Sequence, residues 1–214
     1  MFRAVELGYT RIGIVDGYFG NTPSIWHKEI LFAISEGVEV IGAGSMGALR
    51  AAELFQFGMV GIGRIFRLFR SGLWTDDDEV AVIHATEELD FRPLSEAMAN
   101  IRFSFHKLRR QGLVERGIET ELTARLKAKH FSERTRDEVR RQAARCAGER
   151  VGQRLIEDFE RLYVDAKKRD AQALVNYMRH SPIVERRKQA WIFPATAHWA
   201  RQFGSQLADI PPLH

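Results

Sequence analysis

The sequence contains a single cysteine, Cys146, in 214 residues. One cysteine excludes an internal disulfide framework and a zinc site built from a cysteine cluster. No apolar run is long enough to cross a bilayer, and the first residues lack the apolar segment of a signal peptide. We therefore expect a cytoplasmic protein that does not enter a membrane.

Acidic residues are missing where a dinucleotide-binding protein would need one. Gly42, Gly44 and Gly47 spell G-x-G-x-x-G between a predicted strand and a predicted helix, the context in which a dinucleotide pyrophosphate binds. Such a fold also places an acid about twenty residues further on, where it binds the ribose hydroxyls. Between Glu53 and Asp76 there is no acidic residue. This disfavours an NAD-type oxidoreductase, and we predict no cofactor.

The net charge of +4 is unevenly distributed along the chain. Residues 1–90 hold 7 Lys and Arg against 13 Asp and Glu, whereas residues 91–214 hold 25 against 15. We predict two domains with this boundary, an α/β core over 1–90 and a basic helical region over 91–214 that packs on it. Basic helices could bind nucleic acid or an acidic protein, or could be well solvated. Because aromatic residues are not interleaved with the arginines as base stacking requires, nucleic-acid binding is disfavoured.

The hydrophobic pattern alternates strands and helices in the first half of the chain. It predicts a strand over 11–15, a helix from Thr22-Pro23 to Ile34, a strand over 38–41 and a helix from Met46 to Leu54. This order implies parallel pairing with right-handed crossovers. We predict an α/β fold in which a small parallel, Rossmann-like sheet with flanking helices precedes an α-helical C-terminal region. Further predicted elements are a strand or helix start at 80–84 and helices over 96–110, 120–129, 134–145 and 150–177.

The carboxyl ends of the predicted strands indicate where a site would lie. Ligands of parallel sheets collect at these ends, so Asp16, Ser45 and the start of the helix at Trp26–Lys28 are expected close together. Ser45 could be a nucleophile, an anion-binding hydroxyl or a helix N-cap worth roughly 1 kcal/mol. The consecutive acidic residues at 76–79 could lie at a helix N-terminus, where negative charge is favourable. They cannot all converge on one ion, so we predict no metal site.

Several short segments together resemble the TfuA-like family. They are Asp16-Gly17, Pro23, Trp26-His27-Lys28-Glu29-Ile30-Leu31, Gly42-Ala43, Ser45-Met46-Gly47-Ala48-Leu49-Arg50-Ala51, Glu53-Leu54, Gly58-Met59, Asp77-Asp78-Glu79-Val80-Ala81 and, more loosely, Val164-Asp165-Ala166-Lys167-Lys168-Arg169-Asp170-Ala171. The resemblance is dense over residues 1 to about 90 and looser beyond. Members of this family accompany YcaO proteins, which use ATP to activate peptide backbone amides for thioamide formation. The resemblance implies a hydrolase that releases sulfide from the C-terminal thiocarboxylate of a ubiquitin-like sulfur carrier.

A thiocarboxylate is anionic, so a site that attacks it must first neutralise its charge. The backbone N–H groups of Met46 and Gly47, together with Lys28 or Arg50, are suited to bind the substrate and the developing oxyanion. The small residues at 42–44 and 47 would admit a narrow Gly-Gly tail, so Gly44 joins the substrate-binding group.

The attacking group would be Ser45 activated by His27, or a water activated by His27 or Asp16. Ser45 could instead orient the tail, His27 could be a packing residue, and Arg50 could simply pair with Glu53. The main alternative function is a non-catalytic adaptor that docks the carrier, or a substrate peptide, onto YcaO.

Overall fold

The computed structural model describes residues 1–16, 25–183, 191, 193–196 and 199. Its strands are β1 (Arg11–Ile14), β2 (Glu39–Ala43) and β3 (Val60–Ile62). Its helices are α1 (Phe2–Glu6), α2 (His27–Ser35), α3 (Met46–Leu54), α4 (Gly63–Arg70), α5 (Met98–Arg110), α6 (Arg116–Lys127), α7 (Arg136–Ala147), α8 (Glu149–Arg161) and α9 (Ala166–His180). Within the described residues no helix is both long and apolar enough to cross a membrane.

The three strands form a parallel sheet in the order β1-β2-β3. On one face, Val40 and Ile14 pack with apolar residues of α2 and α3, as the alternation of strand side chains requires. On the opposite face, Ile41 and Ala43 pack against Leu174 of α9. The predicted α/β class with a small parallel sheet and a helical C-terminal region is therefore confirmed.

A second apolar core lies among the helices that follow the sheet. It joins α5, α6, α7 and α8 through buried side chains that include Phe105, Leu122, Val139 and Phe159. The rings of Phe105 and Phe159 stack with their centroids 4.8 Å apart. Helix α9 lies outside this core. It packs through Leu174 on the face of the sheet opposite α2 and α3.

Some predicted elements differ from the structure. The predicted helix over 150–177 is interrupted at 162–165, where the buried Val164 donates its N–H to Ser104 Oγ at 2.9 Å and Asp165 begins α9. Segment 80–84 does not join the sheet; His84 instead forms an isolated bridge with Pro93. The third strand is β3, in a stretch for which the hydrophobic pattern predicted no strand.

One predicted helix start differs from the structure, and another lies outside the described residues. The helix predicted over 96–110 begins only at Met98. Ser95, just before the predicted start, does not cap it, because its Oγ accepts the N–H of Ile83 at 2.9 Å. The predicted start at Thr22-Pro23 lies outside the described residues, and α2 is described from His27 onward, with Trp26 as its N-cap.

Candidate functional site

A cavity of about 400 Å³ opens at the carboxyl ends of β1 and β2. The sheet forms one wall, and α5, α7 and α9 with the segment 82–97 form the others. Its polar lining comprises Asp16, Ser45, His84, Ser95, Glu96, Asn100, Arg136, Tyr163, Asp165, Lys167 and Lys168. This is the position at which parallel α/β sheets bind ligands.

Ser45 lies in the turn between β2 and α3 and contributes to the cavity wall. Its exposed fraction is 0%, and its Oγ has no hydrogen-bond partner in the described part of the chain. It is the N-cap residue of α3 by position, yet its side chain makes no cap hydrogen bond. A buried hydroxyl without a partner costs about 1–3 kcal/mol, so this hydroxyl is held at the expense of stability.

Glycines give the β2–α3 turn its shape by permitting close backbone packing. Gly44 has a φ of +78°, and a Cβ on Gly42 or Gly47 would overlap the carbonyl groups of Gly47 and Ile14, respectively. The N–H of Gly47 donates to the carbonyl of Val15 at 3.0 Å. Of the two N–H groups predicted to bind an oxyanion, that of Gly47 is therefore engaged within the fold, which leaves that of Met46.

Asp16 lines the cavity immediately after β1, as the sequence predicted for the end of a strand. Its Oδ2 lies 3.3 Å from the Nζ of Lys167, which also donates to the carbonyl of Val80 at 3.1 Å. Lys168, the next residue of α9, is exposed and lines the same cavity. Among the described residues Lys168 has no carboxylate partner. The cavity thus holds one paired and one unpaired ammonium group.

The wall opposite the sheet carries a hydrogen-bonded polar cluster. Arg136 pairs with Glu96, and the hydroxyl of Tyr163 donates to Glu96 Oε2 at 2.5 Å. Asn100 Nδ2 donates to Tyr163 Oη at 2.9 Å, and the guanidinium carbon of Arg136 lies 4.4 Å from the centre of the Tyr163 ring. Burial, together with the charge of Glu96, raises the pKa of Tyr163, so its phenol remains a hydrogen-bond donor near neutral pH.

His27 and Arg50 lie outside the cavity lining. The Nε2 of His27 is 2.7 Å from Glu53 Oε2, and Arg50 Nη1 donates to the same carboxylate oxygen at 2.7 Å. Lys28 donates to Thr196 Oγ1 at 2.9 Å. The structure therefore groups Asp16, Gly44 and Ser45 in the cavity. The five predicted site residues of α2 and α3 are not among the residues that line it; they are His27, Lys28, Met46, Gly47 and Arg50.

The acidic segment 76–79 serves as an anchor between the two cores. Arg134 has an exposed fraction of 0%. Its guanidinium group binds the carboxylate of Asp78 and also donates to the backbone carbonyl of Asp78 at 2.8 Å. Lys127 pairs with Asp76, Asp78 and Glu79. Burial acts to raise the pKa of Asp78, but hydrogen bonds from these two cations outweigh it and lower that pKa. No cluster of His, Cys, Asp or Glu suited to a metal is present in the described residues.

Sequence reasoning missed the contribution of α9 to the site. Asp165 caps this helix by accepting the N–H of Lys168 at 2.9 Å. One turn later, the buried Asp170 accepts the N–H groups of Arg64 and Ile65, at 3.0 and 2.8 Å, at the start of α4. Asp170 thereby ties α9 to the start of α4, and Lys167 and Lys168 in the first turn of α9 line the cavity. The spacing within 164–171 was the available signal, but only the tertiary fold shows which residues it brings to Ser45.

Comparison with known proteins addresses the family directly. No curated protein matches the chain. The family model for TfuA-like protein matches residues 16–135, more than half of the 214 residues. The matched region begins at Asp16 on the cavity wall, contains the β2–α3 turn with Ser45 and ends beside the buried Arg134. The chain therefore belongs to the TfuA-like protein family.

Proposed function

We propose that this protein hydrolyses the C-terminal thiocarboxylate of a ubiquitin-like sulfur carrier and so supplies sulfide to a YcaO enzyme that installs peptide thioamides. One observation carries the proposal. Ser45, at the strand ends where parallel sheets bind ligands, keeps a buried hydroxyl that no described residue satisfies. Such a group destabilises the fold by itself, which is the expected pattern for a residue retained for chemistry.

The reaction adds water to a thiocarboxylate and yields a carboxylate and hydrosulfide. With Ser45 as nucleophile, its Oγ forms a bond to the carbonyl carbon and its proton passes to a base. The base then returns this proton to the departing sulfur as the C–S bond breaks, so that hydrosulfide leaves. Water hydrolyses the ester that remains on Ser45 and gives the carboxylate, a proton and the free hydroxyl. Asp16 is the strand-end carboxylate of the cavity, and it or a water that it holds is the base in this scheme. His27 is hydrogen-bonded to Glu53 instead.

Cationic groups on α9 support the binding of an anionic substrate. The ammonium groups of Lys167 and Lys168 line the cavity together with Ser45. Their positive charge would offset the repulsion that a thiocarboxylate presents to an attacking oxygen, and would stabilise the negative charge that develops. In a second version of the mechanism, Ser45 orients the tail by a hydrogen bond and water attacks directly.

The test is to incubate the protein with a thiocarboxylated carrier and to measure sulfide release and the mass of the carrier. We expect Ser45→Ala to lose most of the activity and Asp16→Asn to reduce it by about tenfold or more. Ser71→Ala is the matched control, because Ser71 is exposed, its Oγ donates to the carbonyl of Leu68 at 3.0 Å, and it is not part of the cavity lining. His27→Ala should retain sulfide release, since His27 is not part of the cavity lining.

The adaptor alternative makes a different prediction for the same assay. A wild-type protein that binds the carrier and stimulates YcaO, yet leaves the thiocarboxylate intact when incubated alone with the carrier, would be an adaptor. That outcome would overturn the hydrolase proposal.

A further inference from the structure

The proposed reaction leaves one histidine of the cavity wall without a role. His84 is half-buried and belongs to the segment 82–97 that forms part of this wall. Val82 and His84 line the cavity, whereas Ile83 between them does not and is 37% exposed. Because side chains alternate between two sides along a β-bridged segment, this pattern turns the imidazole of His84 towards the cavity.

A backbone hydrogen bond fixes the imidazole of His84. Its Nδ1 lies 2.7 Å from the carbonyl oxygen of Phe91. A carbonyl oxygen only accepts hydrogen bonds, so in the neutral ring Nδ1 carries the proton and Nε2 keeps a free lone pair. Among the described residues no side chain or backbone group bonds to Nε2. The ring therefore presents a basic nitrogen from a fixed position.

The residue that holds His84 has an unusual backbone conformation. Phe91 has a φ of +49° and follows Asp90 at +53°, so two residues with side chains occupy the left-handed region in succession. This region is uncommon for a bulky residue, and such strain concentrates at functional sites. The carbonyl of the strained Phe91 is the one that accepts the Nδ1–H of His84. The turn thus keeps a strained conformation in which the imidazole is held.

The carboxylates of the cavity differ from His84 because each has a partner. Asp16 pairs with Lys167, Glu96 pairs with Arg136, and Asp165 accepts the N–H of Lys168. A carboxylate beside a cation or an N–H donor is stabilised in its charged form and is a weaker base. The Nε2 of His84 has no such partner among the described residues.

His84 and Ser45 lie on different walls of one cavity. Ser45 follows β2 on the sheet wall, whereas His84 is on the wall that segment 82–97 helps to form. The volume of about 400 Å³ is in the range of pockets that hold one small ligand. A tail bound between these walls therefore has the serine hydroxyl on one side and the imidazole on the other. Asp16 is on the side of Ser45, whose N–H donates to the carbonyl of the preceding Val15 at 3.2 Å.

We propose that Nε2 of His84 is the general base that activates the attacking water. The assignment rests on the proposed function, and Asp16 keeps its part in the attack by Ser45. In the ester route, Nε2 takes a proton from water as the water oxygen bonds to the carbonyl carbon. The C–Oγ bond then breaks, the imidazolium returns the proton to Ser45 Oγ, and the carboxylic acid releases its own proton to solvent. If water attacks the thiocarboxylate directly, the imidazolium gives the proton to the departing sulfur.

The variant His84→Asn tests this role, because an asparagine amide can still donate to the carbonyl of Phe91 but has no basic nitrogen. We expect steady-state sulfide release from the thiocarboxylated carrier to fall by about a hundredfold or more. His180→Asn is the matched control, since His180 Nδ1 also bonds a backbone carbonyl, that of Asn176 at 2.8 Å, but lies outside the cavity lining. It should release sulfide at the wild-type rate. Equal rates in the two variants would overturn the assignment.

Chemical rescue separates a base from a residue that only holds the turn. Imidazole added to His84→Ala should raise sulfide release by about tenfold or more, because the free base can enter the space left by the side chain. Ser45→Ala should not respond to imidazole. A His84→Ala protein that imidazole does not reactivate would contradict a role as base.

Mass spectrometry then shows which water His84 activates. In the ester route, His84→Asn should release one sulfide per protein and stall with the carrier joined to Ser45, at the summed mass of protein and hydrolysed carrier less one water. The same fall in rate and the same rescue without this adduct would assign His84 to the water of the direct route.

The tautomer has a readout that is independent of turnover. Nitrogen NMR of the histidine rings distinguishes a protonated from an unprotonated ring nitrogen, and the signals of His84 are those missing from His84→Asn. We expect the neutral ring to carry its proton on Nδ1, and a proton on Nε2 would refute the assignment. Sulfide release at the wild-type rate by His84→Asn would refute only the role of His84, whereas a wild type that releases no sulfide would refute the hydrolase proposal as well.

Discussion

Replacing Ser45 by alanine distinguishes a structural serine from one that is retained for chemistry. When a serine caps a helix through its side chain, replacing it by alanine lowers the stability of the protein by about 1 kcal/mol, within a range of about 0.5–2 kcal/mol. Ser45 has no such bond to lose, and its buried Oγ lacks a partner among the described residues. Removing the hydroxyl abolishes a desolvation penalty of about 1–3 kcal/mol and loses only the packing of one oxygen atom. We therefore expect Ser45→Ala to be more stable than wild type by roughly 1 kcal/mol while it loses sulfide release.

Urea unfolding followed by circular dichroism measures this difference, and a thermal melt should rise by about 2–4 °C for a chain of this size. Thr135→Ala is the matched control, because Thr135 Oγ1 accepts the N–H of Glu138 at 3.2 Å and is a genuine N-cap of α7. Thr135→Ala should be less stable than wild type by about 1 kcal/mol. If Ser45→Ala is destabilised as much as Thr135→Ala, the hydroxyl of Ser45 is bonded in the folded protein and the reasoning fails.

Three further predictions concern the framework of the site. Gly47→Ala should unfold the protein or lower its free energy of unfolding in urea by more than about 3 kcal/mol, because the added Cβ would overlap the carbonyl of Ile14. The control is Gly117→Ala inside α6, where space is open, and this variant should be as stable as wild type or more stable by about 1 kcal/mol. Asp170→Ala should cost about 2–4 kcal/mol in the same assay, since it leaves two N–H groups at the start of α4 without a partner. The lowered pKa of Asp78 predicts a contribution to stability that is full above its ordinary pKa of 3.8 and is lost as the pH falls through the lowered value. The free energy of unfolding of Asp78→Asn, measured at decreasing pH, should lack this loss of stability in acid. The same loss in Asp78→Asn as in wild type would contradict the prediction.

The fold could be predicted wherever its elements are determined by local pattern. Strand β2 and the helix after it were recognisable because a buried run, a glycine turn and an apolar helix face follow one another within 38–54. Strand β3 was not, because it has only three residues and includes Gly61, whose missing side chain makes room for the Phe66 ring. The break before α9 was missed for a related reason. It depends on Ser104, sixty residues away along the chain, which receives the N–H of Val164.

The site could be predicted in part. The residues that were predicted are close to one another in the sequence, and those that were missed are distant from them. The rule that ligands collect at strand ends was sufficient to bring Asp16 and Ser45 together. The rule could not show which side of α3 would face the cavity. In the structure Arg50 forms an ion pair with Glu53 and does not line the cavity. Nor could it show that Lys168, more than a hundred residues beyond Ser45, would supply a cation to the same cavity.

The glycine-rich turn shows why its spacing alone does not indicate a nucleotide site. In a dinucleotide-binding loop, the first N–H groups of the helix must point at a phosphate. Here the N–H groups of Ser45 and Gly47 both donate to the carbonyl of Val15, at 3.2 and 3.0 Å. Val15, just after β1, thereby binds N–H groups that a pyrophosphate would need, and the glycines are required because the two backbones approach so closely. Apart from the N–H of Met46, anion binding then depends on side chains, and Lys167 and Lys168 of α9 line the cavity together with this turn.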